Sequence, residues 1–243
     1  MALTLRWLTG RTGPPLRHGR VLLVVPQPSH YEAWSLLRET SRHHLEPYEP
    51  AWAADELSRP AFRRRLRRYR ADRRWGLGEA CFVMRQSDGA LLGGVTLTNV
   101  RRGVTQSASI GYWIGLPYIR QGFATDAVAA MLRHAFDDLA LNRVEAACMP
   151  ANRASLAVLQ RAGFRHEGLA RRYLKINGAF EDHVLFARLR DDPDTGARPA
   201  SGTAEAPSPR FNPAPLRANG GQQPSPETTA HVGSAPAAEG HAA

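Results

Sequence analysis

Two helix starts carry the residue types and spacing that could do chemistry. "RQGFATDAV" (120–128) places a glycine-containing loop between a β-like run, "ASIGYWIG" (108–115), and an amphipathic helix. The free N–H groups and the dipole of such a helix start favour an anion, and Gly122 lets a ligand come close to the main chain. A tight strand-to-helix connection needs the same loop, and a lone glycine does not separate the two readings. Further on, Asn152 heads "NRASLAVLQRAG" (152–163), with Ser155 one turn along. Asn is a strong N-cap in its own right, and Ser155 alone reads as a surface hydroxyl. The two starts matter jointly because the preceding strands, 106–115 and 143–150, can be parallel neighbours. One extended phosphate-bearing ligand across their carboxyl ends would then touch both.

The elements that must position these residues follow from periodicity and punctuation. "RVLLVV" (20–25) reads as a buried strand closed by Pro26 and Pro28. A helix over 29–44 has Ser29 as expected N-cap and Glu32 completing a capping box. "LEPYEP" (45–50) is a loop. The spacing of Leu57, Phe62, Leu66 and Tyr69 predicts a helix over 55–74, whose other face holds Arg59, Arg63, Arg64, Arg67, Arg70, Arg73 and Arg74. Two runs flanking "SDG" within 79–100 form a hairpin. A strand at 106–115, a helix at 125–141, a strand at 143–150 ended by Pro150 and the 152–163 helix closed by Gly163 come next. The chain ends its ordered part with strands 164–176 and 180–189 around "NGA". The order β-α-α-β-β-β-α-β-α-β-β predicts an α+β (mixed α/β) fold. It has a single central mixed sheet with helices on both faces, and it excludes a regular doubly wound arrangement.

Composition divides the chain into a domain at 16–190 and a tail at 191–243. The tail is rich in Pro, Ala, Gly, Ser and Thr, with Phe211, Leu216 and Val232 as its only large apolar residues, and is expected to be disordered. The chain carries +10 overall; the tail has three Arg against six acids, so residues 1–190 carry +13. Such a domain attracts phosphate, on RNA, a nucleotide cofactor or a membrane surface. Cys81 and Cys148 give neither metal spacing nor a disulfide framework, and their apolar surroundings predict buried thiols. "VLLVV" is too short for a signal core or a membrane span, so no membrane role and a cytoplasmic location are expected.

Several segments together resemble the GCN5-related N-acetyltransferase (GNAT) family, and within it the RimJ-type enzymes that acetylate an N-terminal alanine of a ribosomal protein. They are "EPYEP" (46–50), "LTNVRRG" (97–103), "IGYWIG" (110–115), "QGFATDAV" (121–128), "NRVEAACMPANRAS" (142–155), "AGFRHEGLARRYL" (162–174) and "INGAFEDHVLFA" (176–187), in family order. The resemblance implies a GNAT fold and acetyl-CoA as acetyl donor, with no metal. It places the pyrophosphate loop on Ile119, Arg120, Gln121, Gly122, Phe123 and Ala124, with Thr125 also on the cofactor. Ile119 departs from the family pattern, and Arg120 stands where relatives often have glycine. It implies main-chain donors near Trp113 and Ile114 for the thioester carbonyl, Asn152 on the pantetheine arm and Ser155 near the departing sulfur. The tyrosine acid of many members falls here on Leu159, and the glutamate base of related enzymes on Leu174. Glu145, Glu167, Asp182 and His183 remain open as bases, and Tyr48, Glu145 and Tyr173 as residues lining the acceptor. The implied partner is a ribosomal-protein N-terminus, with rRNA phosphate beside the arginine face of 55–74. The readings to set against this are acetylation of another amine, and an inactive RNA-binding module on the same fold.

Overall fold

The computed structural model describes residues 15–193. The reading of 191–243 as a disordered tail lies, from residue 194 on, outside the described residues. Residues 191–193 stay tied to the domain: Asp192 Oδ2 accepts from the Leu189 N–H at 2.9 Å, and Arg188 donates to the Asp192 and Pro193 carbonyls.

One sheet of eight strands organises everything else. In chain order these are β1 (Leu16–His18), β2 (Val21–Val24), β3 (Glu79–Arg85), β4 (Leu91–Arg101), β5 (Ser107–Ile114), β6 (Arg143–Cys148), β7 (Arg165–Ile176) and β8 (Ala179–Leu189). Their order is β1-β2-β3-β4-β5-β6-β8-β7, antiparallel throughout except for the parallel pair β5–β6. The three-residue β1 is too short to show a period, and it went unread in the sequence. The turn at Asp88-Gly89 closes β3–β4, and Asn177-Gly178, both at positive φ, closes β7–β8.

Helices cover both faces. α1 (Tyr31–Thr40), the short α2 (Arg42–Leu45) and α3 (Arg59–Trp75) lie on one side, with Trp34, Leu37, Phe62 and Leu66 packed on Phe82 and Leu91. α4 (Phe123–Arg133), which runs on as a π turn over His134–Asp138, and α5 (Arg153–Arg161) cover the other. Three boundaries differ from the sequence reading, each for a local reason. Pro28 starts a 3-10 turn over 28–30, so α1 begins at Tyr31; the Gln27 N–H donates to His30 Nδ1 at 3.1 Å, and Ser29 caps nothing. α3 begins at Arg59 because Ser58 caps it, accepting from the Ala61 N–H, and Gly76 in the left-handed region ends it. The expected seven-arginine face also shrinks: Arg59 pairs with Glu32, Arg64 with Asp55 and the half-buried Arg73 with Glu79.

Candidate active site

The parallel pair is closed for only three rungs, Ser107↔Arg143, Ala108↔Val144 and Ser109↔Glu145. β5 then continues to Ile114 and β6 to Cys148 without pairing, leaving a wedge-shaped gap. Ladder alternation identifies what lines it. The Gly115 N–H donates to the Leu92 carbonyl at 2.9 Å, so odd residues of β5 face β4 while the main-chain groups of Tyr112 and Ile114 face the gap. On β6, the Arg190 N–H donates to the Asn142 carbonyl at 3.0 Å, which turns even residues to β8 and Ala147 to the gap. An extended, amide-bearing chain can pair with these edges as an added strand. The expectation for Trp113 is corrected here: its N–H belongs to the rung with Gly94. Its indole also sits so close over that residue that a Cβ there would lie 2.6 Å from Nε1.

At the gap's mouth stands the start of α4. Gly122, at φ +84°, is the N-cap, so the helix begins at Phe123, two residues earlier than the periodicity indicates. The first helical bond runs from the Asp126 N–H to the Gly122 carbonyl at 3.1 Å, leaving the N–H groups of Phe123, Ala124 and Thr125 without helical partners. Arg120 occupies the left-handed region at φ +60°, which accounts physically for glycine being the usual residue there. Arg20, which sequence reasoning missed, folds onto this loop from the β1–β2 turn. Its guanidinium donates to the Gln121 carbonyl, lies 3.4 Å from Asp126 Oδ2 and sits 4.7 Å from the centre of the buried Phe123 ring. Three free N–H groups thus open beside a guanidinium paired with Asp126, a fit for a phosphate group.

Asn152 caps α5, its Oδ1 accepting from the Ser155 N–H at 3.0 Å, which leaves Nδ2 as a donor. Ser155 itself is more than a surface hydroxyl. Its Oγ is 2.8 Å from the phenol of Tyr112, which also donates to the Ser155 carbonyl at 3.2 Å. Burial pushes the Tyr112 phenol well above its ordinary range, so it stays protonated, as a hydrogen-bond donor, across the working pH of most enzymes. Cys148 is buried as expected beside the same helix start, and burial raises its thiol pKa.

On the opposite face, side chains do the organising. Arg38, only 5% exposed, makes two 2.7 Å bonds to Glu49, and Trp52 Nε1 donates to the same carboxylate at 2.9 Å. The guanidinium lies 4.2 Å from the Trp52 ring centre and 5.1 Å from that of Trp113. The Asn177 N–H donates to the Glu49 carbonyl at 2.9 Å, joining loop 46–50, which carries Tyr48, to the β7–β8 hairpin. In β7 an irregularity between Ala170 and Leu174, held by the Arg172 N–H donating to Asp182 at 2.7 Å, turns Tyr173 outward against His183. His183 is 3% exposed; its Nδ1 is 2.9 Å from the Glu181 carbonyl, which can only accept, so Nδ1 is a donor there. Glu145 is held by arginines. It sits on the last closed rung, bonded by Arg143 Nε at 2.8 Å with Arg101 at 3.7 Å. Arg143 also holds Glu167, whose carboxyl it lowers below the usual range, and Asp182 is spent on the β7 irregularity.

A sequence profile described as "Acetyltransferase (GNAT) domain" matches residues 20–165, which contain the gap and both helix starts. The chain belongs to the GNAT acetyltransferases. It is an acetyl-CoA-dependent N-acetyltransferase by family, and the mixed sheet with its open β5–β6 pair is the GNAT fold. The "Probable N-acetyltransferase YjcK" of Bacillus subtilis is 36% identical over 160 residues, 64% of this chain and 86% of that protein. The "[Ribosomal protein uS5]-alanine N-acetyltransferase" of Escherichia coli is 29% identical over 181 residues, 74% of this chain and 93% of that enzyme. Among solved structures, Mycobacterium smegmatis RimJ in complex with CoA-disulfide superposes with a TM-score of 0.70 at 36% identity, covering 77% of this chain and 92% of that one. No helix among the described residues is long and apolar enough to cross a membrane.

Proposed function

We propose that this acetyltransferase moves the acetyl group of acetyl-CoA to a protein N-terminal α-amine, the acceptor being the N-terminal alanine of a ribosomal protein. The observation that carries this reading is the length of the match: it runs over 93% of an enzyme named for acetylating uS5 at alanine. In that reading the arginine face of α3 lies beside rRNA phosphate.

The residues divide the work as their positions allow. Gly122, the N–H groups of Phe123 to Thr125 and the Arg20 guanidinium hold the pyrophosphate. Arg120 and Gln121 shape the turn that aims those groups. The edges at Ala147 and Tyr112 receive the pantetheine arm, helped by Asn152 Nδ2, and the Ile114 N–H polarises the thioester carbonyl. The amine nitrogen bonds to the acyl carbon as the carbon–sulfur bond breaks, and the sulfur takes a proton from Ser155 Oγ, which water reprotonates, while the Tyr112 phenol holds that hydroxyl in place. An α-amine has a pKa of about 7.7–8.0, so much of it is already neutral at cellular pH. The proton it loses on attack goes to water or to His183 Nε2, the one candidate base not engaged by an arginine or a main-chain amide. Tyr48 and Tyr173, on the two elements joined at Glu49, border the peptide.

The test is acetyl transfer to a peptide carrying the uS5 N-terminus, read by mass spectrometry. Modification of the alanine α-amine, and none on a peptide with a blocked N-terminus, supports the reading. A higher kcat/KM on a polyamine or an aminoglycoside overturns the acceptor assignment.

A further inference from the structure

α3 is unusually basic for a helix that must also pack. Its sequence, "RPAFRRRLRRYRADRRW", holds nine arginines in 17 residues. Phe62 and Leu66 are buried against the sheet, and this commits the apolar side of the helix to the core. Four arginines are neutralised by acids: Arg59 by Glu32, Arg64 by Asp55, Arg65 by Glu56 and Arg73 by Glu79. The remaining five, Arg63, Arg67, Arg68, Arg70 and Arg74, are exposed, and none of them makes an ion pair among the described residues.

Four of the five are collinear. Arg63, Arg67, Arg70 and Arg74 stand at i, i+4, i+7 and i+11, one row on the helix surface, with neighbours about 5–6 Å apart at Cβ. The row spans about 16 Å at 1.5 Å per residue. Like charges so spaced repel one another and weaken the free helix, and a polyanion laid along the row would relieve them. At its C-terminal end Trp75 is 71% exposed and Leu77 is 55% exposed, with the Arg74 guanidinium 5.8 Å from the indole centre. An exposed indole at the end of a guanidinium row is a platform on which a base can stack.

We propose that this face of α3 docks RNA: the sugar–phosphate backbone runs along Arg63, Arg67, Arg70 and Arg74, and an unpaired base stacks on Trp75. Each guanidinium fork can take two phosphate oxygens at once. An anionic bilayer fits less well, because the apolar side that would enter it is already buried under the sheet. The inference draws on the proposed ribosomal acceptor only for the source of the RNA, and its test contains no acetylation step.

The experiment is fluorescence anisotropy of the full chain with a labelled RNA of ~20 nucleotides bearing a single-stranded end, titrated between about 50 and 300 mM KCl. Four phosphate contacts predict a slope of log K against log salt of roughly −3. The variant Arg63→Gln/Arg67→Gln/Arg70→Gln/Arg74→Gln should bind at least about tenfold more weakly and flatten that slope. Trp75→Ala should weaken binding severalfold and leave the slope unchanged. Equal coenzyme A affinity in all three proteins certifies the fold and keeps the catalytic reading separate. Absence of RNA binding by the unsubstituted protein, or an unchanged slope in the quadruple variant, overturns the proposal. So does displacement of the RNA by polyglutamate at equal or lower charge concentration, which would assign the row to an acidic protein, or tighter binding to phosphatidylserine vesicles than to RNA.

Discussion

The β5–β6 gap and the opposite face of the sheet are made of different material. Around the gap the functional groups are main-chain N–H groups of Ile114, Ala147 and Phe123 to Thr125, presented by an unzipped strand pair and a helix start. Across the sheet, Arg38, Glu49, Trp52 and Trp113 form a side-chain assembly that fixes loop 46–50 against the β7–β8 hairpin. A site built from backbone tolerates varied side chains provided the φ/ψ angles hold. A site built from a buried ion pair tolerates almost none, because a remaining partner is left charged without solvent.

That contrast is broken most directly at Glu49. Glu49→Ala leaves the Arg38 guanidinium only Glu56, 3.9 Å away, and should cost about 3 kcal/mol, a fall in Tm of about 6–12 °C for a domain of this size. Thermal melting with and without coenzyme A checks it: a large loss of stability with coenzyme affinity intact keeps the two regions separate, whereas a parallel loss of both merges them. Next in size is Gly122→Val, which forces a β-branched residue to φ +84° and brings its Cβ to 3.0 Å from Arg20. Coenzyme affinity by calorimetry should fall by at least about tenfold, through strain of about 1–2 kcal/mol that re-aims the free N–H groups.

These two positions also mark what could be read from sequence. The helix starts at 122 and 152, the Asp-Gly and Asn-Gly turns and the parallel neighbours β5–β6 are local or nearly so, and each was legible from punctuation. The contacts that complete the site were not. Arg20 meets Gln121, Tyr112 meets Ser155 and Arg38 stacks on Trp113 across separations that only the folded sheet closes. Nor could residue type show that Arg143 and Arg101 flank the Glu145 carboxylate. Ser29 misled because Pro28, which fits a helix start, started a 3-10 turn instead.

A sharper version of the comparison concerns protons. Because burial holds the Tyr112 phenol protonated, kcat/KM should rise with pH as the acceptor amine loses its proton near 7.7–8.0, with no alkaline decline up to about pH 10. Tyr112→Phe should lower kcat by about tenfold while keeping that shape. A falling alkaline limb that disappears in Tyr112→Phe would show the phenol to titrate in its ordinary range and to be needed in its protonated form, whereas an unchanged kcat in Tyr112→Phe would remove it from the reaction. The smallest effect is expected at Arg120→Gly, which relieves a left-handed arginine and should stabilise the protein by about 0.5–1 kcal/mol. A melting temperature that falls would mean the Arg120 side chain has a contact worth more than its backbone strain.

The strand order β6-β8-β7 has a consequence for how the protein is made. The strand that covers the outer edge of β6 is the last of the eight to leave the ribosome, so throughout synthesis β6 waits beside a nascent chain with its outward N–H and C=O groups unpaired. An open edge of that kind recruits other chains. The alternating Arg143 and Glu145 make a poor template for a stranger's strand, and their charges thereby guard the unfinished sheet.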